Sequence, residues 1–271
     1  MSDLQDRLSF AVDAAKQAGE VTLKYFGKLK SEQHSQKSDG SPVTIADRES
    51  ETLIRELIGQ RYPDDAILGE EFDDKPGTSG FQWVIDPIDG TISFVQGVPL
   101  YGTMLACLKD GRSVVGVIHM PALDETVSAA DGLGCWHQQG QAQAVPGAMS
   151  SNETLENSLI NTTSLSYFTT PQLRALYAQL DEACLHSRGW SDCYAWVLLA
   201  TGRVDAVVEP DLKLWDFASA IPIVHESGGI WSDLSGNATL QVTQLLAANP
   251  KLHGALLEVC KSSLSDRAVS R

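Results

Sequence analysis

A short turn that carries two acidic side chains constrains the fold of this 271-residue sequence more than any other feature. The apolar residues 83–85 lead directly into Asp86-Pro87-Ile88-Asp89-Gly90-Thr91. Because proline lacks an N–H group, it ends the strand and stiffens the turn that follows. The turn can direct both carboxylates and the carbonyl of Ile88 into one pocket, and such oxygen ligands suit hard cations like Mg²⁺. The sequence therefore predicts a metal site directly after a strand.

Three further acidic groups stand at the edges of predicted elements: Asp47, the pair Glu70-Glu71, and Asp216. Each has a purely structural explanation. Asp47 follows Thr44 at capping-box spacing, Asp216 could be a helix N-cap, and Glu70-Glu71 could lie in a solvated loop. Asp-Pro and Asp-Gly are also common turn dipeptides. The functional interpretation depends on all these groups lying where elements end, because functional side chains concentrate there.

The spacing of apolar residues changes along the chain from helical to strand-like. Helical spacing predicts one helix over residues 4–26 and a second over residues 44–62. Between residues 66 and 130, apolar runs flank Lys109-Asp110-Gly111-Arg112, and Asp-Gly between apolar runs is typical of a β-hairpin. We expect an antiparallel sheet in this half, covered by the first two helices.

A polar stretch over residues 138–156 separates this half from a second one. We therefore predict two units, an α+β half over residues 1–145 and an α/β half over residues 146–271 that carries Asp216. The apolar pattern of the second half predicts helices over residues 171–183, 193–200, 215–227 and 250–260, and strands over residues 204–208 and 245–247.

Composition narrows the compartment and the partners. Apolar residues make up 43% and charged residues 20%, which is typical of a globular protein. The net charge of −15 argues against a nucleic-acid partner, because phosphates attract basic faces. Five scattered cysteines without a Cys-x-x-Cys pair fit a reducing cytoplasm. No apolar run reaches the ~20 residues that span a bilayer, and the first residues do not form a secretory signal, so we expect a cytoplasmic protein without a membrane partner.

The acidic motifs together resemble those of the inositol monophosphatase family. Residues 86–91 resemble its Asp-Pro-(Ile/Leu)-Asp-Gly-Thr motif, and residues 215–220 followed by 226–229 resemble its second motif. Gly69-Glu70-Glu71 and the segment from Thr44 to Asp47 match two intermediate elements in the same order. The resemblance covers nearly the whole chain. It implies a layered α-β-α-β-α sandwich, an antiparallel-sheet half followed by a mixed-sheet half, and a homodimeric, Mg²⁺-dependent phosphomonoesterase.

The same resemblance implies roles for individual residues. The expected ligands of two or three Mg²⁺ ions are Glu70, Asp86, the carbonyl of Ile88, Asp89 and Asp216. Asp47 would hold Thr91 in place, and Thr91 with Glu70 would activate the attacking water. The backbone amides of Gly90 and Thr91 would bind the phosphate.

The choice of alcohol depends on other residues, chiefly Asp192 in segment 189–194 and Glu209 in segment 207–210. These segments resemble the histidinol-phosphate phosphatase branch of the family. Histidinol phosphate carries an ammonium group and an imidazole that gains a proton near neutrality, so rim carboxylates can pair with it. We hypothesise that Asp192 and Glu209 bind these groups. Asp192 could instead cap a helix that begins near Cys193.

Three alternatives to histidinol phosphate stay open. The first is inositol 1-phosphate, and the second is a broad or nucleotide-directed range of phosphate esters. The third is a regulatory binding protein on the same fold.

Overall fold

The computed structural model describes residues 2–28, 34–36, 42–190 and 192–265. The α-helices are α1 (Asp3–Leu23), α2 (Ile45–Arg61), α3 (Thr91–Val95), α4 (Pro171–Ala183), α5 (Cys193–Ala200), α6 (Leu214–Phe217), α7 (Ala220–Glu226) and α8 (Pro250–Ser265). The strands are β1 (His34–Gln36), β2 (Pro42–Thr44), β3 (Ala66–Gly69), β4 (Phe81–Asp89), β5 (Gly102–Lys109), β6 (Arg112–Met120), β7 (Glu125–Ala130), β8 (Cys135–Gln139), β9 (Val145–Pro146), β10 (Leu159–Thr162), β11 (His186–Arg188), β12 (Ala206–Glu209), β13 (Ile230–Ser232) and β14 (Leu245–Ala248).

The first large sheet contains seven strands in the order β3-β4-β5-β6-β7-β8-β9. From β4 onward it is the expected antiparallel meander. The β5–β6 turn has positive φ at both Asp110 and Gly111, as a tight hairpin with the twist of its strands requires. One detail differs from the sequence-based expectation: β3 pairs parallel with β4, because the connection of residues 70–80 returns the chain to the end at which β3 began. The first sheet is therefore mixed at one edge.

Helices α1 and α2 cover one face of this sheet. Their apolar stripes join the strands in a buried cluster that includes Ala11, Ala15, Ile54, Ile58 and Trp83. Thr44 is the N-cap of α2, and Asp47 completes the predicted capping box. Both predicted N-terminal helices are confirmed to within three residues at each end.

The second large sheet contains five strands in the order β11-β10-β12-β14-β13. The first three strands run parallel, and β14 and β13 are antiparallel to their neighbours, so the sheet is mixed as expected. One face packs on α4 and α8, where Leu176 and Leu256 share a cluster with Val208. Val207, the neighbour of Val208 in β12, points to the opposite face and belongs to a different buried cluster.

Helices α5 and α7 lie between the two sheets. Val197 of α5 and Ile223 of α7 share one cluster with Met104 of the first sheet and Val207 of the second. The neighbouring Leu105 belongs to the α1–α2 side. The layers therefore follow the order α-β-α-β-α, which confirms the predicted fold. Because this central cluster takes residues from both sides of residue 145, the division into two units stays a prediction.

The helix predicted over residues 215–227 is wrong as a single element, because it breaks between α6 and α7. Pro222 has no N–H to donate to the carbonyl of Ala218 four residues earlier. The hydroxyl of Ser113 donates to that carbonyl instead, at 2.7 Å. Strands β10, β11 and β13, of three or four residues each, were not anticipated. Among the described residues, no helix combines the length and the apolar character needed to cross a bilayer.

Candidate active site

Three carboxylates from two distant parts of the chain meet at the end of β4. Asp86 and Asp89 lie on either side of an irregularity in the pairing of β4 with β5, where Pro87 interrupts the ladder. The prediction that Pro87 ends the strand is wrong, because β4 continues to Asp89, which pairs with Gly102. Asp216 arrives from α6. One oxygen from each of Asp86, Asp89 and Asp216 lies within 4.8 Å of the others. The structure therefore brings together three of the acidic residues that the sequence singled out.

Local hydrogen bonds fix the direction of these side chains. The Ile88 N–H donates to Oδ1 of Asp86 at 3.1 Å. The Lys213 N–H donates to Oδ2 of Asp216 at 2.7 Å. Asp216 occupies the third position of its helix and Lys213 the N-cap, so the N-cap explanation for Asp216 is wrong. Oδ2 of Asp89 is buried and has no hydrogen-bond partner in the part of the chain that the structure describes.

The electrostatics of this cluster favour a cation. Burial, followed by the charges of Glu70, Asp89 and Asp216, raises the pKa of Asp86 well above its ordinary value. Burial, followed by the charges of its acidic neighbours, also raises the pKa of Asp89 well above its ordinary value. Burial is the main cause that raises the pKa of Asp216 to about 7. Carboxylates that repel each other in a poorly solvated place fit a divalent cation, which supplies the missing positive charge.

Glu70 is a fourth acidic group, and its side chain contacts that of Asp86. Its backbone N–H donates to the carbonyl of Ile85 at 3.2 Å, next to Asp86 in β4. Both the charge of Glu70 and a hydrogen bond between the two side chains raise the pKa of Asp86. Glu70 is outside the three-carboxylate group. The side chains of Glu70 and Asp86 are therefore in contact, an arrangement that fits a cation shared between them beside the one that the three carboxylates could hold.

The turn after β4 depends on glycine at position 90. Gly90 has φ of 85°, and a Cβ there would stand 2.9 Å from the carbonyl oxygen of Leu100. Helix α3 begins at Thr91, whose hydroxyl donates to the carbonyl of Ile88 at 3.1 Å. The Ile88 carbonyl thus faces the same side as the Thr91 hydroxyl. The predicted binding of phosphate by the amides of Gly90 and Thr91 stays a prediction.

Asp47 does not make the contact expected of it. Its Oδ2 accepts the N–H and the hydroxyl of Thr44 at 2.8 and 2.6 Å, and its buried Oδ1 has no hydrogen-bond partner among the described residues. The structure therefore shows no hydrogen bond from Asp47 to Thr91, and its role in holding Thr91 stays a prediction. Burial, opposed by the Thr44 bonds and reinforced by the charges of Glu71 and Glu70, raises the pKa of Asp47 to about 7.

The two predicted specificity residues lie near each other. Glu209 ends β12 and is 4% exposed, and its Oε1 has no hydrogen-bond partner within the described chain. Burial, followed by the charge of Asp192, raises the pKa of Glu209 well above its ordinary value. Asp192 precedes α5 with φ of 58°, a conformation that costs energy for a residue other than glycine, and makes no capping hydrogen bond with its side chain. Asp192 thus occupies the N-cap position that the capping explanation gave it, but its carboxylate does not cap the helix.

The sequence did not reveal two polar residues, Asn161 and Tyr167, that lie near the segment with Asp192. The buried Oδ1 of Asn161 accepts the Trp190 N–H at 3.0 Å, and its Nδ2 has no hydrogen-bond partner among the described residues. Burial, followed by the charges of Asp192 and Asp89, raises the pKa of Tyr167. Asn161 lies near the carboxyl end of the parallel strand β10, where α/β sheets commonly bind ligands. Recognition of this short strand in the sequence would have drawn attention to Asn161.

Comparison with known proteins gives this geometry a family. The sequence matches the inositol monophosphatase family over residues 3–265. The chain belongs to the inositol monophosphatase family. Its family and its relatives named histidinol-phosphatase identify it as a phosphomonoesterase.

Individual relatives of this inositol monophosphatase family member carry different names. A histidinol-phosphatase of Chlorobaculum parvum is 39% identical over 96% of this chain and 98% of its own length. The Nus factor SuhB of Escherichia coli is 31% identical over 96% of this chain and 97% of its own. The solved structure of a Thermotoga maritima IMPase superimposes with a TM-score of 0.85 and 29% identity, covering 96% of this chain and 99% of that one.

Proposed function

We propose that this protein is a Mg²⁺-dependent phosphatase that hydrolyses L-histidinol phosphate to L-histidinol in histidine biosynthesis. The observation that carries the phosphatase chemistry is the convergence of Asp86, Asp89 and Asp216 within 4.8 Å. The observation that favours a cationic alcohol is the pair of carboxylates, Asp192 and Glu209, beside that cluster.

The chain offers oxygen ligands for two or three cations. We assign them to Glu70, Asp86, the carbonyl of Ile88, Asp89 and Asp216. Bound Mg²⁺ would neutralise the phosphate and stabilise the leaving alkoxide. The unpartnered, buried Oδ2 of Asp89 supports this assignment, because a buried carboxylate oxygen without a donor is costly unless a cation satisfies it.

Other residues would orient the phosphate and the water. The hydroxyl of Thr91, which donates to the carbonyl of Ile88 in the structure, would activate the attacking water together with Glu70. Free N–H groups at Gly90 and Thr91 would donate to a phosphate oxygen. Asp47, whose pKa is raised by burial and further by the charges of Glu71 and Glu70, would keep its buried Oδ1 available to this hydroxyl.

The substrate assignment depends on charge complementarity. Glu209 is nearly inaccessible to water, so an ammonium or imidazolium that reached it would gain a strong, charge-assisted hydrogen bond. A neutral inositol would leave the carboxylate of Glu209 without a counter-charge. The Chlorobaculum parvum relative named histidinol-phosphatase supports the same choice.

A comparison of substrates tests the proposal. We expect kcat/KM in Mg²⁺ to be about 10- to 100-fold higher for L-histidinol phosphate than for inositol 1-phosphate, the range that a hydrogen bond to a charged group can supply. Glu209→Gln should remove most of this preference and spare glycerol 2-phosphate, which has no cation. A matched control is Glu226→Gln, since Glu226 accepts the N–H groups of Gly132 and Gly134 away from the site. A strong preference of the wild type for inositol 1-phosphate would refute the substrate.

Two alternative functions are each supported by a similar protein. The IMPase neighbour favours inositol 1-phosphate or a broader range of phosphate esters, which the same assay detects. The relative named Nus factor SuhB favours a regulatory binding protein on this fold. Absence of metal-dependent hydrolysis with every ester would favour that second alternative.

Compartment and assembly complete the proposal. All five cysteines are buried and unpaired, which fits a reducing cytoplasm. A homodimer is proposed from the family alone, and sedimentation of the purified protein would test it.

A further inference from the structure

One face of α2 carries three ionisable side chains at intervals of four residues: Asp47, Glu51 and Arg55. Residues four apart lie one above the other along a helix. Asp47 belongs to the capping box at the start of the helix, whereas Glu51 and Arg55 are not among the residues assigned to bind metal or substrate. Glu51 has no exposed surface. A carboxylate buried to this extent is costly unless it is hydrogen-bonded, so its partners indicate what it holds.

The partners of Glu51 and Arg55 lie in the loop that follows β3. Oε2 of Glu51 accepts the N–H of Glu71 at 2.8 Å, and its Oε1 accepts Nε of Arg55 at 2.7 Å. The two terminal nitrogens of Arg55 donate to the carbonyls of Phe72 and Asp73, each at 3.1 Å. The two side chains therefore hold three consecutive residues by their backbone, whatever the side chains of that loop are.

Gly69 leaves room for this arrangement. A Cβ at Gly69 would overlap the carboxylate of Glu51 and would stand 2.8 Å from a terminal nitrogen of Arg55. The backbone N–H of Glu70 itself donates to the carbonyl of Ile85 in β4. Glu70 is thus fixed between a strand that carries Asp86 and a loop that α2 holds.

We propose that Glu51 and Arg55 are positioning residues for Glu70. By holding residues 71–73, they keep the carboxylate of Glu70 beside Asp86 and so set the affinity of that part of the site for Mg²⁺. This inference rests on the proposed function, because it assumes that Glu70 and Asp86 share a cation. It also explains why the Gly-Glu-Glu element needs glycine as its first residue.

Mg²⁺ titrations of Arg55→Ala and Glu51→Gln test the inference. We expect the Mg²⁺ concentration for half-maximal activity to rise about tenfold or more, as it does when partners behind a metal ligand are removed. Calorimetric titration of Mg²⁺ into the metal-free protein should show the same loss without substrate. KM for the phosphate ester at saturating Mg²⁺ should not change, because neither side chain reaches the alcohol.

Arg61→Ala is the matched control. Arg61 lies in the last turn of the same helix and pairs with the exposed Asp6, so its removal should leave Mg²⁺ affinity unchanged. Arg55→Lys should fall between wild type and Arg55→Ala, because lysine keeps the charge but cannot bond to both carbonyls.

The background Glu70→Gln separates positioning from general loosening. If Arg55 acts through Glu70, then adding Arg55→Ala to Glu70→Gln should change Mg²⁺ affinity no further. An equal loss in both backgrounds would overturn the inference, and so would an unchanged Mg²⁺ affinity in Arg55→Ala and Glu51→Gln. A wild-type protein that neither binds nor needs Mg²⁺ would instead refute the proposed function, so the two failures are distinguishable.

Discussion

Removal of metal should make the stability of this protein fall as the pH rises through neutrality. Asp216 has its pKa raised to about 7 by burial, against an ordinary value of 3.8. Between these two values the native state holds a proton that the unfolded chain releases. Stability contributed by this group is therefore lost as the pH rises from about 4 through about 7. The carboxylate of Asp47 has the same direction and adds to the loss.

The size of the effect follows from the two pKa values. A difference from 3.8 to about 7 corresponds to at most roughly 4 kcal/mol of unfolding free energy, of which about 3 kcal/mol falls between pH 5 and pH 8. His119 has the opposite effect on stability. Burial lowers its pKa to about 4, so the native state holds its imidazole neutral, and the free-energy cost of removing that proton falls as the pH rises. The contribution of Asp216 is therefore best measured as a difference between wild type and Asp216→Asn.

Urea unfolding followed by tryptophan fluorescence, in EDTA at pH 5 and pH 8, measures that difference. We expect the wild type to lose about 3 kcal/mol more than Asp216→Asn over this interval. Saturating Mg²⁺ should stabilise the wild type most at pH 8, because the cation binds the ionised carboxylates. The reasoning fails if Asp216→Asn loses as much stability as the wild type between the two pH values.

Three substitutions give further tests. Asp89→Asn should lower Mg²⁺-dependent phosphatase activity more than about 100-fold without lowering the urea midpoint in EDTA, because it relieves repulsion among the carboxylates. Asp65→Ala should lower the unfolding free energy by about 3–5 kcal/mol in urea, since it leaves the buried guanidinium of Arg7 with only the exposed Asp3 as a carboxylate partner. Arg61→Ala, at the more exposed pair with Asp6, should leave the midpoint unchanged. Gly116→Ala should lower the unfolding free energy by about 1–3 kcal/mol in the same assay, because its methyl group would overlap the backbone of the segment between α6 and α7. A urea midpoint equal to that of the wild type would show that this segment can move away from β6 at no cost in stability.

Features with local causes could be predicted from the sequence. The Asp110-Gly111 hairpin, the Thr44–Asp47 capping box and the irregularity of β4 at Pro87 each depend on residues within a few positions. The break between α6 and α7 was predictable in the same way, because Pro222 removes a hydrogen bond within its own helix.

Features that depend on distant contacts were not predictable from pattern alone. Asp216 meets Asp86 only because α6 packs against β4, and no local spacing encodes that contact. The missed strands have only three or four residues, too few for a period of two to stand out. The capping explanation of Asp192 was equally reasonable from sequence, and only the structure shows that its carboxylate makes no capping hydrogen bond although the residue stands at the N-cap.

The site draws its groups from different layers, and this has a consequence for specificity. Asp86, Asp89 and Glu70 lie where β4 and β3 of the first sheet end, whereas Asp192 precedes α5 and Glu209 ends β12 of the second sheet. Because the charge of Asp192 acts on Asp89 and Asp216, Glu209 is the better position at which to change the preferred alcohol without disturbing the carboxylates at the phosphate. We expect Glu209→Gln to change the ratio of kcat/KM values between substrates while the Mg²⁺ concentration for half-maximal activity stays the same. Arg55→Ala should do the reverse, and a variant of either kind that altered both quantities equally would show that the two functions are not separable.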